Sequence, residues 1–270
     1  MELDFEFLTN IQKRLQNNLD VLASIIESHG QVIALHKSDK TQCDLVHDYI
    51  FLCLTKGTRS LSSADLLITE SYLEDALIVA RSSYESYLNG AYVFNNPDKV
   101  KELLVTKLGV ARGVFSHPLN KNGHLNRTKV TNPLTGDIED YGVTVAKMAK
   151  NTPYPFDDVV HYLLYQFLSE FTHVHIVSSG AYRTEDQKQY VVKPSSESIY
   201  STIVICLYVS WLLMDLAIDY IESKSIPLMF IDLELAVSGE LLMFAIENLH
   251  FDSSLEKLKE YMLKRIAISC

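Results

Sequence analysis

Five residues in two short runs have the types and the spacing to do chemistry. Arg81 and Glu85 stand four apart in Arg-Ser-Ser-Tyr-Glu, and Tyr165, Ser169 and His173 recur every fourth residue in Tyr-Gln-Phe-Leu-Ser-Glu-Phe-Thr-His. A histidine near neutral pKa can shuttle a proton between a ribose hydroxyl and a leaving oxygen, and an arginine can stabilise charge on a phosphate. In that chemistry His173 moves the proton and Arg81 holds the phosphate. Glu85 orients the arginine, and Tyr165 or Ser169 completes the hydrogen bonds. The reaction would be metal-independent cleavage of RNA. The alternative is a binding or interaction protein in which the same Arg-Glu-Tyr-Ser-His set is a buried network that fixes helix register without turnover.

Both runs fall in segments of helical period. On a 3.6-residue repeat Leu77, Ile78, Arg81, Tyr84, Glu85, Leu88 and Tyr92 share one helix face, while Ser71, Asp75, Ser82, Ser83, Ser86 and Asn89 occupy the other. The pattern therefore predicts that Arg81 and Glu85 face the core. A bare surface pair in the order Arg before Glu would contribute only about 0.3–0.5 kcal/mol, so partners from another helix are expected. Residues spaced by four drift about 40° per step, which lets Tyr165, Ser169 and His173 line one strip. His161 lies one step before them, and His175 adds a second imidazole nearby.

The elements that must position these residues are helices throughout. Periodicity places them at about Asp4 to Ser28, Gln31 to Leu54 with a break near Ser38, Ser62 to Phe94, and from there to Val110. Others follow at Asp157 to Ser178, Ser195 to Ser223, Leu228 to Leu249 and Ser253 to Ile268. Asn95-Asn96-Pro97-Asp98 stops the third helix and caps the fourth. Residues 112–142 lose the period and carry turn signals, so a small β-hairpin is expected there. Ten Gly and seven Pro are too few for a sandwich or barrel that turns every ~8–12 residues. The expected fold is all-α, a single domain over residues 1–270 built as a bundle of seven or eight helices with one excursion.

The Arg81 to Leu88 run with Tyr92 and a following Asn-Pro, together with Tyr165, Ser169 and His173, resembles the R-x3-E and Y-x3-S-x3-H pattern of a bacterial all-helical family of unknown function, number 5677. The resemblance covers roughly Leu61 to Tyr220. It implies helices that pack with those polar residues facing inward, and it brings no established chemistry with it. More distantly the chain resembles helical bundles of the higher-eukaryote and prokaryote nucleotide-binding (HEPN) class, which suggests a cytosolic effector acting on RNA in stress or phage defence. That class carries Arg, four to six residues, then His, which Arg112 and His117 match. About 0.7 such matches are expected by chance at this composition, and Gly113 and Pro118 depart from the pattern.

Charge is uneven along the chain. Its 34 acidic and 24 basic residues give a net charge of -10, which argues against a uniformly basic polyanion-binding surface. Yet Lys99 to Lys129 holds seven basic residues against Glu102, so it stands at +6 and the remainder at -16. Lys107, Arg112, Lys121, Arg127 and Lys129 are the candidates there for contact with RNA phosphate or with an acidic protein partner.

No signal points to a cofactor. Cys43, Asp44 and His47, or His173 and His175, make no convergent set of three metal ligands, so no metal is expected. The four cysteines lack CxxC spacing and the first residues are acidic, which favours a reducing, cytoplasmic setting. The uncharged stretch from Ser198 to Met214 contains serine, threonine and tyrosine and ends at Asp215, so it is expected to be a buried core helix and not a membrane span. Exposed apolar edges between Leu228 and Leu249 suggest a homodimer.

Overall fold

The structure is a computed structural model that describes residues 5–31, 34–37, 40–172, 182–183, 188–191, 199–224, 229–249 and 255–269. It is all-α, with nine helices and two small antiparallel hairpins among the described residues. Helix α1 spans Phe5–His29, α2 Leu45–Thr69, α3 Leu73–Asn95 and α4 Lys99–Ala111. The short α5 (Val145–Ala149) precedes α6 (Asp157–Glu170), and α7 (Ile199–Glu222), α8 (Met229–Glu247) and α9 (Glu256–Ser269) follow. Strands β1 (Ala34–Lys37) and β2 (Lys40–Cys43) pair between α1 and α2, and β3 (Lys129–Thr131) and β4 (Ile138–Asp140) pair between α4 and α5.

Helix α7 is the axis of the bundle. It is apolar all round and packs against α1, α2, α3 and α8, so nearly every side chain from Tyr200 to Ile221 is buried. By length and composition α7 could cross a membrane, but 94% of its most apolar window is covered by the rest of this fold. Two glycines let it approach closely. A Cβ at Gly57 would fall 2.9 Å from Leu213, and one at Gly90 would fall 2.8 Å from Leu216.

The single helix expected from Ser62 to Phe94 is two helices. Helix α2 ends at Thr69, Ser71 takes a left-handed φ of 65°, and α3 starts at Leu73. The Tyr72 amide donates to the Leu67 carbonyl at 2.8 Å and the Ser71 amide to Ile68 at 2.9 Å, the paired bonds of a Schellman stop. Glycine usually marks such a stop, and a serine in its place leaves no signal in the sequence. The expected helix from Gln31 likewise proves to be the β1–β2 hairpin followed by α2, whose first turn is capped where Asp44 accepts from the amides of Val46 and His47. These changes move boundaries without adding a helix, and the short α5 brings the number among the described residues to nine.

Candidate functional site

Helix α6 docks on α3 through three rungs, one per turn. The Tyr87 hydroxyl donates to Asp157 Oδ2 at 2.8 Å, the ring of His161 stacks on Tyr84 at 6.1 Å between centroids, and Tyr165 meets Arg81. Steps of four on α6 (157, 161, 165) interlock with steps of three on α3 (87, 84, 81), the geometry of ridges packed into grooves. The polar ladder therefore begins at Asp157, one step earlier than the His161, Tyr165, Ser169, His173 series read from the sequence.

Arg81 is the outermost rung, and each nitrogen of its guanidinium donates one hydrogen bond. Nε donates to Glu85 Oε1 at 3.1 Å, Nη1 to Thr172 Oγ1 at 2.7 Å and Nη2 to the Tyr165 hydroxyl at 2.5 Å. Its Cζ also lies 4.4 Å from the centre of the Tyr165 ring. Tyr165 thus meets Arg81 as expected, but Ser169 does not. The Ser169 hydroxyl donates back to the Tyr165 carbonyl at 2.5 Å, and Thr172, just past the end of α6, holds the arginine in its place. His173 and His175 lie outside the described residues. His161 is buried between the rings of Tyr84 and Tyr165, and desolvation lowers its pKa against an opposing pull from Glu85.

Arg81 and Glu85 are not in the core. Their side chains are 19% and 35% exposed, so the pair sits at the rim of the α3–α6 junction. Leu77, Tyr84, Leu88 and Tyr92 of the same helix face are buried, but part of the small polar face packs as well. Ser83 and Ser86 are buried, and the Ser83 hydroxyl donates to the Gly57 carbonyl of α2 at 3.0 Å. Small side chains allow helices to approach closely, and serine satisfies its hydroxyl on a nearby carbonyl.

Glu85 also borders a cleft of about 460 Å³ between α2, α3, α4 and α5. Lys56 and Lys107 reach it from α2 and α4, while Leu52, Leu104, Val143 and Met148 supply apolar wall. Asn89 is fixed there, accepting from the Tyr49 hydroxyl at 3.0 Å and donating to the Glu85 carbonyl at 2.7 Å. The buried Cys53 thiol on this wall is pushed up to about 12 by desolvation, so it behaves as an apolar group and not as a nucleophile.

Of the predicted phosphate-contacting residues, Lys107 alone lines this cleft. Arg112 caps the end of α4, and Lys121 and Arg127 are exposed in the excursion. Lys129 is paired within the hairpin, its Nζ 2.6 Å from Asp140, which lowers the carboxyl below its usual range. The basic run is therefore answered in part by its own acidic strand. His117 is likewise built into the excursion, with Nδ1 2.7 Å from the Lys129 carbonyl oxygen and its ring edge-on to Tyr141.

A second charged cluster, not foreseen from sequence, lies in the core at the N-terminal end of α6. Arg265 of α9 is fully buried, with Nη2 2.5 Å from Asp215 Oδ2 and Nε 3.5 Å from Asp157 Oδ1. Its Nη1 donates to Ser269 at 2.6 Å, and the Tyr154 ring lies 4.3 Å from Cζ. Desolvation lifts the Asp157 carboxyl to about 6, opposed by Arg265 and by the Tyr87 hydrogen bond. A larger cavity of about 600 Å³ lies beside this cluster, and its wall carries Asp215, Asp219, Glu222 and Asp232. That wall repels polyanions. The signal available in the sequence was Asp215 itself, the charge that ends the apolar run and requires a cation once buried. Among the described residues no group of three or more His, Cys, Asp and Glu side chains is arranged to hold a metal ion.

Two of these helices carry the sequence pattern noted above, Arg81 and Glu85 on α3 and Tyr165 and Ser169 on α6. A family model matches residues 47–190, just over half the chain. The chain belongs to DUF5677, a family of unknown function. The DUF5677 match starts in the first turn of α2 and takes in the α2–α3 hairpin, the excursion and α6. It begins before Leu61 and ends before Tyr220, so Asp215 and Arg265 lie outside it. No curated protein and no solved structure matches the chain, and the likeness to HEPN bundles finds no support in these comparisons.

Proposed function

We propose that this is a non-enzymatic binding protein in which the Arg81 cluster is a structural clamp and the ligand occupies the neighbouring cleft. One observation carries the clamp assignment: each guanidinium nitrogen of Arg81 already has a partner within the protein. A phosphate at Arg81 would compete with Thr172, Tyr165 and Glu85, which already take one N–H from each nitrogen. In the cleft, by contrast, Lys56 and Lys107 have no ion-pair partner among the described residues, and they stand over apolar wall. Two cations above an apolar floor suit an organic anion with an apolar body, held by charge at one end and by burial at the other.

The test is titration with an anilinonaphthalene sulfonate dye, an apolar anion, followed by fluorescence. Saturable binding weakened by Lys56→Ala and Lys107→Ala, and retained in Lys121→Ala, is the expected outcome. Binding indifferent to both cleft lysines contradicts the assignment.

A second function, metal-independent RNA cleavage by a cytosolic effector, is favoured by one observation. Lys107, a predicted phosphate contact, shares the cleft with Glu85, so charge for a phosphodiester stands near a carboxylate. Incubation of labelled single-stranded RNA with chelator separates the two. Cleavage lost in His173→Ala with the thermal midpoint retained establishes the enzyme, and intact RNA with the wild-type protein sustains the binding role.

A further inference from the structure

The outer face of α8 is apolar where a surface helix should be polar. Phe230 is 86% exposed, Leu233 62%, Val237 39% and Phe244 54%, and half-buried Leu241 lies on the same stripe. Their spacing is three, four, four and three residues, which reads the same in both directions about Val237. A symmetric dimer joins the same patch on both copies, and a stripe that maps onto itself under a twofold rotation can pack against its own copy.

From this we infer that α8 is a homodimer interface, with two copies packed antiparallel across a twofold axis at Val237. The axis sets Phe230 against the partner's Phe244, Leu233 against the partner's Leu241, and Val237 against the partner's Val237. The same rotation brings Glu240 opposite the partner's Glu234. Two carboxylates would repel there, but Arg14 of α1 already holds Glu234 at 2.6 Å, which places a guanidinium beside the seam for both. The four exposed side chains supply roughly 400 Å² of apolar surface per copy, about half of the ~800 Å² per partner in a standard interface. Leu241, Glu240 and the α1 flank add to it. Helix α8 has no lysine or arginine, and Glu240 and Glu247 are exposed beside the stripe, so an anionic membrane surface would repel this face. The inference is independent of the ligand assigned to the cleft.

Sedimentation equilibrium at micromolar concentration tests it, together with site-directed cross-linking in a background with Cys43→Ser and Cys270→Ser, since Cys53 and Cys206 are buried. The wild-type chain is expected to sediment at twice its monomer mass. Leu233→Glu is expected to give a monomer that still unfolds cooperatively, with a thermal midpoint that no longer rises with protein concentration, because the position is exposed. Val237→Cys should form a disulfide dimer under mild oxidation well before Leu66→Cys, which is 68% exposed on α2. A wild-type monomer, a dimer that survives Leu233→Glu, or cross-linking at Leu66→Cys as fast as at Val237→Cys overturns the inference.

Discussion

Two arginines, Arg81 and Arg265, each join a helix to carboxylate and hydroxyl partners, yet they differ in surroundings. Arg265 and its partners Asp157 and Asp215 are 0%, 2% and 5% exposed, whereas Arg81 and Glu85 are 19% and 35% exposed. In the core, water cannot replace a lost partner, so removing one charge strands the others. At the rim, water can take over each hydrogen bond of Arg81. Position, more than residue type, decides which cluster the fold depends on.

The largest effect expected is therefore at Arg265. Arg265→Ala should cost about 3–5 kcal/mol in urea unfolding, or prevent folding, because Asp157 and Asp215 would be left buried without a cation. A cost no larger than that of Arg81→Ala would show that burial does not set the two clusters apart.

Next is a dependence on pH. Folding raises the Asp157 carboxyl from an ordinary 3.8 to about 6, so between those values the folded state binds its proton more tightly than the unfolded one. Stability from this group is fully present below the unfolded value and is lost as pH rises through about 6, a swing of order 3 kcal/mol. Thermal melts at pH 5 and pH 7 should show the wild type gaining more on acidification than Asp157→Asn. Equal gains in both would show that Asp157 titrates in the fold as it does in water.

Arg81→Ala comes third, with about 1–3 kcal/mol expected from the loss of three charge-assisted hydrogen bonds at a partly solvated site. A double-mutant cycle with Tyr165→Phe should return a coupling of about 0.5–1.5 kcal/mol, since the two side chains meet directly. Additive losses would mean that the rung at Tyr165 contributes nothing. Least is Lys129→Ala in the exposed hairpin, where no resolvable change in the urea midpoint is expected.

Much of this fold was legible in the sequence, because helical period survives in α1, α4, α7, α8 and α9 and loss of period marks the β3–β4 excursion. The meeting of Arg81 with Tyr165 was legible too, since a charge beside an apolar stripe needs a partner on another helix. The α2–α3 stop was not, as Ser71 carries a conformation usually signalled by glycine. Nor was the burial of Ser83 and Ser86, because small polar residues on a helix read as a solvated face until a close-packed neighbour is known. Arg265 was hidden by distance: 50 residues separate it from Asp215, and no local spacing relates them.

The role proposed for Arg81 is to hold the structure and not to act on a substrate. Its most direct test measures metal-free RNA cleavage and the urea midpoint side by side in the wild-type protein and in Arg81→Ala. The midpoint should fall in the variant while neither protein cuts RNA. Cleavage by the wild type that disappears in Arg81→Ala with the midpoint unchanged would contradict it.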